Sequence, residues 1–311
     1  MTFGIVGLGL MGGGFARAIR RAASSSGRLA EAGWSEASES EIFACDTRAD
    51  VLEAALAEGV IDGAFSMQNA AAMLKKCSMV FVCVYPDAAF SFIKEHAADF
   101  APDAIVTDIA GVKGSEVAEC EAACPQYIAG HPMAGSDREG FGHSDTVHFE
   151  GRNYIVIPRS VASSASHEAG QLSDVERLER FKTIIRALGF GQIIETTAKT
   201  HDSKIAFTSQ LCHVIASALV DSAEDERVTE FGGGSFEDLT RIAMINAPLW
   251  TELFLSNKDA LLPHVDTFLD SMQKFRAAIA DDDAGSLEKY LAAVRTRRAL
   301  MRKTESRAES K

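Results

Sequence analysis

Thr2-Phe3-Gly4-Ile5-Val6-Gly7-Leu8-Gly9-Leu10-Met11-Gly12 decides how the first half of the chain is read. Thr2 to Val6 is a short apolar run and reads as a buried strand. Three glycines follow at 7, 9 and 12, and a helical pattern runs from about Gly12 to Ala23. Each glycine has a task. The first permits a tight turn, the second lets backbone approach a pyrophosphate, and the third lets helix and sheet pack closely. The pyrophosphate then rests on the unpaired N–H groups of the helix N-terminus. The expected cofactor-binding residues are therefore Gly7, Gly9, Leu10, Met11 and Gly12. A second strand, Glu41 to Cys45, leads into Asp46, whose carboxylate can accept hydrogen bonds from ribose hydroxyls and repels a 2′-phosphate. That favours NAD over NADP, with Arg48 as the residue that argues the other way. Gly12 to Asp46 exceeds the usual spacing of about 20 residues. The segment Ser24 to Glu39, poor in large apolar residues apart from Trp34, accounts for the excess as an extended connection.

Outward from this motif, strands and helices alternate. Met79 to Val84 is a continuous run of β-branched and aromatic residues, as in a strand buried on both faces. Val51 to Ala57 and Phe90 to Phe100 read as helices. Ala104 to Asp108, Gln126 to Ala129 and Tyr154 to Ile157 read as further strands. Alternation of this kind implies an α/β fold with a doubly wound parallel sheet. Arg159 to Ser173, rich in Ser and Ala, reads as a linker. Beyond it the patterns are helical apart from Gln192 to Glu195: Val175 to Leu188, Thr200 to Ser222, Ser235 to Met244, Pro248 to Leu255, Asn257 to Ala280 and Ser286 to Arg302. Thr200 and Ser286 are candidate N-caps, and Ser235 with Asp238 resembles a capping box. Pro263 stands where it could split the fifth helix. The expected organisation is a Rossmann-like dinucleotide-binding domain over 1–160 and an all-helical domain over 161–311.

Composition narrows the function. A chain of 311 residues with 47% hydrophobic and 24% charged residues is long and apolar enough for two cores. A net charge of −13 without a long basic run argues against nucleic acid and anionic membrane surfaces. It also means that an anionic substrate needs a local positive pocket. No leader and no membrane span are expected, since the first apolar residues carry four glycines and lack a basic flank. Six cysteines without a CxxC pair read as free thiols in a reducing cytoplasm. The eight histidines show no metal-ligand spacing, so no metal is expected.

Three blocks carry candidate chemistry. His131, in Gly130-His131-Pro132-Met133-Ala134-Gly135, follows an apolar run expected to end at the carboxyl edge of the sheet, where ligands bind in such folds. His213 stands on a polar stripe of an otherwise apolar helix, with Ser209 and Gln210. Arg241 is flanked by Leu239, Ile242 and Ala243, which predicts partial burial and hence an anionic partner. Asp238 on the same helix and a substrate carboxylate are both open as that partner.

Taken together the blocks resemble the prephenate dehydrogenase family of tyrosine biosynthesis, which includes arogenate and cyclohexadienyl dehydrogenases. The matching pieces run in order: Gly7 to Gly12, Asp108 to Lys113, Gly130 to Gly135, Gly151 to Pro158, His201-Asp202, Ser209 to His213, Thr240 to Ala243, Pro248 to Trp250 and Asn257. The resemblance implies that His131 is the catalytic base at the substrate's ring hydroxyl and that Arg241 binds a substrate carboxylate. It implies that His213, Trp250 and Gln210 line the substrate pocket, that Lys113 belongs with the cofactor residues, and that NAD is the oxidant. It also implies a homodimer formed through the helical domain. Gly111 stands where many relatives carry a Ser that orients the catalytic His, so another group or a water must orient His131. Three alternatives differ in substrate or class. An arogenate-preferring enzyme would place a carboxylate near the substrate ammonium. A 3-hydroxyacid dehydrogenase would rely on a Lys in the helical domain. A nicotinamide-sensing protein without activity would be expected to have lost His131 or Arg241.

Overall fold

The computed structural model describes residues 1–23, 28–31, 40–136, 138–159 and 172–301. Most of the segment Ser24 to Glu39, positions 160–171 of the expected linker, and the basic tail from Arg302 lie outside the described residues. Within the first of these, Arg28–Glu31 forms a short helix, α2.

Five parallel strands form the central sheet: β1 (Thr2–Val6), β2 (Glu41–Asp46), β3 (Gly63–Ser66), β4 (Met79–Val82) and β5 (Ile105–Asp108), in the order β3-β2-β1-β4-β5. Helices α1 (Leu10–Ala22), α3 (Ala49–Ala57), α4 (Ala70–Leu74), α5 (Pro86–Glu95) and α6 (Glu116–Ala123) connect and follow them. Successive residues of β1 and β4 enter different cores. Phe3, Ile5, Met79 and Phe81 pack with Phe15 on one side, while Val6, Val80 and Val82 pack with Phe90 on the other. Both faces of the sheet are dry, which is why β4 carries no polar alternation.

A bridge from Val106 to Tyr127 continues the sheet past β5 toward β6 (Ala129–Pro132), which pairs antiparallel with β7 (Tyr154–Ile157). β7 pairs parallel with β8 (Ile193–Glu195), and α7 (Asp174–Ala187) lies between them in sequence. The strand expected at Gln126 to Ala129 is thus displaced: His131 lies within β6 rather than beyond its end. The pairing partner decides this, because Gly130 and His131 sit opposite Val156 and Ile155 of β7.

The helical half follows the expected order, with corrected ends. α8 (Ala198–Ile205), a π-helical turn over Ala206–Gln210 and α9 (Leu211–Asp221) form one continuous rod. By length and composition this rod could cross a bilayer, which the sequence reading had not expected of any stretch. It is capped by Thr197, which accepts from Thr200 N, so Thr200 is inside the helix and not its cap. α10 (Gly234–Thr240) starts from Gly233 without a side-chain cap, so the Ser235–Asp238 capping box does not form. A true capping box joins Ser173 and Glu176 at α7. α11 (Ala247–Ser256) has Pro248 in its first turn, α12 (Lys258–Ala280) runs through Pro263 unbroken, and α13 (Ala284–Leu300) is capped by Asp283 rather than Ser286. The chain divides into two compact units, Met1–Lys258 and Asp259–Lys311, so the expected division at residue 160 falls inside the first. Within the second, Phe275 meets Tyr290 edge to face at 4.6 Å.

Candidate active site

The glycine turn between β1 and α1 has the shape its sequence predicts. Gly7 has φ +85°, and a Cβ there would lie 2.5 Å from Val84 Cγ1 and 2.9 Å from the Cys83 carbonyl oxygen. A Cβ on Gly12 would lie 2.0 Å from Gly7 O, so helix and turn touch through that position. A Cβ on Gly9 would meet nothing within 4 Å. Gly9 is the N-cap of α1 and no side chain caps the helix, whose first turn holds no acidic residue. Leu10 and Met11 open that turn, partly exposed. Open space over uncapped N–H groups is what a pyrophosphate requires, so these residues fit a dinucleotide. Asp46 Oδ2 accepts from Leu8 N at 2.6 Å, which fixes the carboxylate beside the turn. Arg48, the residue that would favour NADP, forms a two-point ion pair with Asp50 at 3.2 and 2.5 Å.

Lys113 does not reach this turn. It is fully buried, and its ammonium donates to Asp108 Oδ2 and to Gly130 O (2.6 Å). Asp108 Oδ1 accepts from Tyr127 (2.8 Å) and from Gly130 N (3.2 Å). The pair therefore ties the end of β5 to β6 at Gly130, the residue before His131. Burial lowers the Lys113 pKa, against the pull of Asp108. The expectation that Lys113 contacts the cofactor is corrected on this point: the fully buried ammonium is spent on Asp108 and the Gly130 carbonyl, inside the protein.

His131 projects from β6 and is partly exposed. Its Nδ1 lies 2.8 Å from His201 Nε2, and His201 Nδ1 lies 2.7 Å from Asp202 Oδ1. Asp202 also accepts from Lys113 N (2.9 Å) and Gly114 N (2.8 Å). Burial lowers the His131 pKa well below 6.5, and the charges of His201 and Lys113 add to that. Burial also lowers His201, with Asp202 opposing it. Burial pushes the Asp202 carboxyl up, but the bonds from His201, Gly114 N and Lys113 N outweigh it and hold it below 3.8. His131 is therefore neutral at neutral pH, as a base must be. With Gly111 unable to orient His131, the side chain that bonds to its ring is His201. A Cβ on Gly111 would stand 3.9 Å from His131 Cε1 and 3.3 Å from Leu253 Cδ2, so a side chain here would crowd Leu253.

Leu253 belongs to α11, one turn beyond Trp250. α11 is tied to the carboxyl edge of the sheet: Tyr85 donates to Asn246 Oδ1 (3.1 Å), Asn246 Nδ2 to Glu139 (2.9 Å), and Asp87 N to Glu252 (2.7 Å). Trp250 lies against His213, with ring centroids 3.6 Å apart. His213 Nδ1 donates to the Ile242 carbonyl at 2.9 Å, which leaves Nε2 as a lone pair. Burial and the Arg241 charge lower its pKa, with the Ile242 bond opposing them. Arg241, at the end of α10, is exposed and makes no ion pair or hydrogen bond among the described residues, Asp238 included. The expected partial burial is wrong, because Leu239 beside it is also exposed. Of the two partners left open for Arg241, the intrahelical one does not form.

Gln210 behaves differently from the expectation. The π turn leaves it buried, with Nε2 donating to Leu253 O (2.7 Å) and Oε1 accepting from Asn257 Nδ2 (2.8 Å). Asn257 also donates to the Asp202 carbonyl at 3.0 Å. Gln210 and Asn257 thus lock α11 to the rod that carries His201 and His213. A regular helical wheel groups Gln210 with His213. The extra residue of the π turn breaks that grouping, and such turns recur at functional sites.

Comparison with known proteins bears on this arrangement. The family model described as prephenate dehydrogenase, nucleotide-binding domain, matches residues 30–180. The one described as prephenate dehydrogenase, dimerization domain, matches residues 197–293. The chain is 26% identical over 298 residues to the prephenate dehydrogenase of Bacillus subtilis (strain 168), covering 93% of this chain and 73% of that protein. It is 28% identical over 228 residues to the cyclohexadienyl dehydrogenase of Zymomonas mobilis, covering 69% of this chain and 72% of the relative. Among solved structures it resembles prephenate dehydrogenase from A. aeolicus in complex with hydroxyphenyl propionate and NAD+, with TM-score 0.77, 25% identity, and coverage of 96% of this chain and 97% of that one. A 3-hydroxyisobutyrate dehydrogenase from Salmonella typhimurium shares the fold alone, with TM-score 0.52 and 14% identity. With both halves matched by models of one family, and relatives that span nearly its whole length, the chain belongs to the prephenate dehydrogenase family.

Proposed function

We propose that the chain oxidises and decarboxylates prephenate to 4-hydroxyphenylpyruvate at the expense of NAD, with His131 as the base at the ring hydroxyl. The observation that carries the assignment is a neutral, partly exposed imidazole, His131, bonded through Nδ1 to His201, in a chain that also presents a Trp250–His213 face and an exposed Arg241 without a partner among the described residues. Gly7, Gly9, Leu10, Met11, Gly12 and Asp46 would hold NAD, which when bound would serve as the hydride acceptor for the carbinol carbon. His131 Nε2 holds the hydroxyl proton as the C–O bond gains carbonyl character. The bond from the ring to its carboxylate then breaks, its electron pair completes the aromatic ring, and CO2 leaves. The new phenolic oxygen takes the proton back from His131. The overall conversion therefore releases no proton, and aromatisation supplies the driving force. Arg241 holds a substrate carboxylate, and His213 and Trp250 form the wall of the pocket. Gln210 supports that wall from behind.

Residues 1–160 are assigned to cofactor binding and 161–311 to substrate binding and dimerisation, in a homodimer in the cytoplasm that takes a small-molecule substrate and neither nucleic acid nor membrane. Exposed Leu262, Leu269, Met272, Ile279, Leu291 and Val294 on α12 and α13 support self-association. The test is NADH formation with NAD and, in turn, prephenate, arogenate and a simple 3-hydroxy acid. The expected order of kcat/KM is prephenate first, arogenate second and no turnover of the hydroxy acid. Preference for arogenate would keep the mechanism and change the substrate.

A further inference from the structure

We propose that Asp202 and His201 form a relay that fixes the tautomer of His131 and gives its proton a second resting place. This rests on the assignment of His131 as the base.

The relay follows from which atoms can donate. Asp202 is a carboxylate held by two backbone N–H donors, Lys113 N and Gly114 N, so it can only accept from His201. His201 Nδ1 must therefore carry a hydrogen, and in the neutral ring His201 Nε2 has a bare lone pair. That lone pair faces His131 Nδ1 at 2.8 Å, so His131 Nδ1 must carry the hydrogen of that bond. A neutral His131 with its proton on Nδ1 presents Nε2 as the acceptor. With both rings neutral, no other tautomer satisfies the chain of three side chains. The carboxylate thus selects the reactive nitrogen of a residue it does not touch, through two hydrogen bonds.

The same geometry handles the transient charge. When His131 Nε2 takes the substrate proton, the Nδ1 proton can pass to His201 Nε2. His131 returns to neutral with its hydrogen on Nε2, and His201 becomes an imidazolium bonded to the Asp202 carboxylate. The proton count is unchanged: one hydrogen arrives at Nε2 of His131 and one leaves Nδ1. The reverse movement restores the start when the phenolic oxygen reclaims its proton. His201 is the better place for the charge, because Asp202 raises its proton affinity while nothing of opposite charge acts on His131. Asn257 and the two backbone donors hold Asp202 in register from the other side. His201 and Asp202 are positioning residues, since neither touches substrate.

Two measurements test the relay. The first is the ring ¹⁵N spectrum of the resting wild-type protein labelled at histidine. His131, identified by loss of its signals in His131→Asn, is expected as the neutral Nδ1–H tautomer. Finding Nε2–H would overturn the proposal, whatever the activity. The second compares His201→Phe with His201→Gln. The phenylalanine fills the space but accepts no hydrogen bond, and kcat is expected to fall about 10²-fold with KM for both substrates within about threefold. Glutamine places an acceptor near His131 Nδ1 and is expected to recover at least about tenfold of that loss. A phenylalanine variant with kcat near wild type would overturn the relay. Failure of the base assignment looks different: His131→Asn would then turn over normally while the ¹⁵N spectrum still showed the expected tautomer.

Discussion

Among the candidate site residues, His131, His213 and Trp250 are partly exposed and Arg241 is exposed, so each has surface open to a ligand. Lys113 and Gln210 are the exceptions, since both are buried and occupied by protein partners. His201 and Asp202 stood in the sequence as a matched pair without a role. The contact that gives them one joins positions 131 and 201, and no periodicity reports a contact across 70 residues. Arg241 was expected to be partly buried, with Asp238 or a substrate carboxylate as its partner, and is exposed instead. Its lack of a protein partner leads to a prediction: Arg241→Ala raises KM for prephenate about 10- to 100-fold and changes kcat little, because the contact is made equally in ground and transition states. Steady-state kinetics at saturating NAD checks this. An unchanged KM would remove Arg241 from the pocket.

At the scale of elements, the Gly7–Gly12 turn was readable in full because each glycine answers to a local steric demand. Gly12→Ala places a methyl 2.0 Å from Gly7 O. Loss of about 2–4 kcal/mol in denaturant unfolding is expected, together with weaker NAD binding by titration. The π turn over Ala206–Gln210 was not readable, since one inserted residue leaves the apolar pattern of the rod almost unchanged. It decides the fate of Gln210. Gln210→Leu removes the donor to the Leu253 carbonyl and leaves one N–H of the Asn257 amide without its acceptor, which costs about 1–3 kcal/mol. If Gln210 is a lock between α11 and the rod, the Tm of that variant falls while KM for prephenate moves less than about threefold. A large rise in KM with unchanged Tm would return Gln210 to the substrate.

For the whole molecule, the alternation of strands and helices was enough to give the parallel sheet, and loss of strand signals after residue 160 was enough to give the helical half. The compact units divide later, after Lys258, because the rod and α11 pack on the sheet edge through Asn246, Glu252 and Asp202. Those are single polar contacts that no hydropathy pattern carries. The site makes the fold pH-sensitive. His131, His201 and His213 all have folded pKa values lowered from 6.5, chiefly by burial. Just below that pH the unfolded chain binds more protons than the folded chain, so stability is full above about 6.5 and declines as pH falls. Thermal unfolding followed from pH 7.5 to 5 is expected to show a falling Tm. A His131→Asn, His201→Gln double variant is expected to show a shallower fall.

The most direct measurement is NADH formation from prephenate and NAD by the purified wild-type protein and its His131→Asn variant, side by side at pH 7.5. The wild type is expected to yield one NADH per 4-hydroxyphenylpyruvate, and the variant to lose about 10²–10⁴-fold in kcat while still binding NAD. No NADH from the wild type, or a variant that turns over like it, would contradict the account.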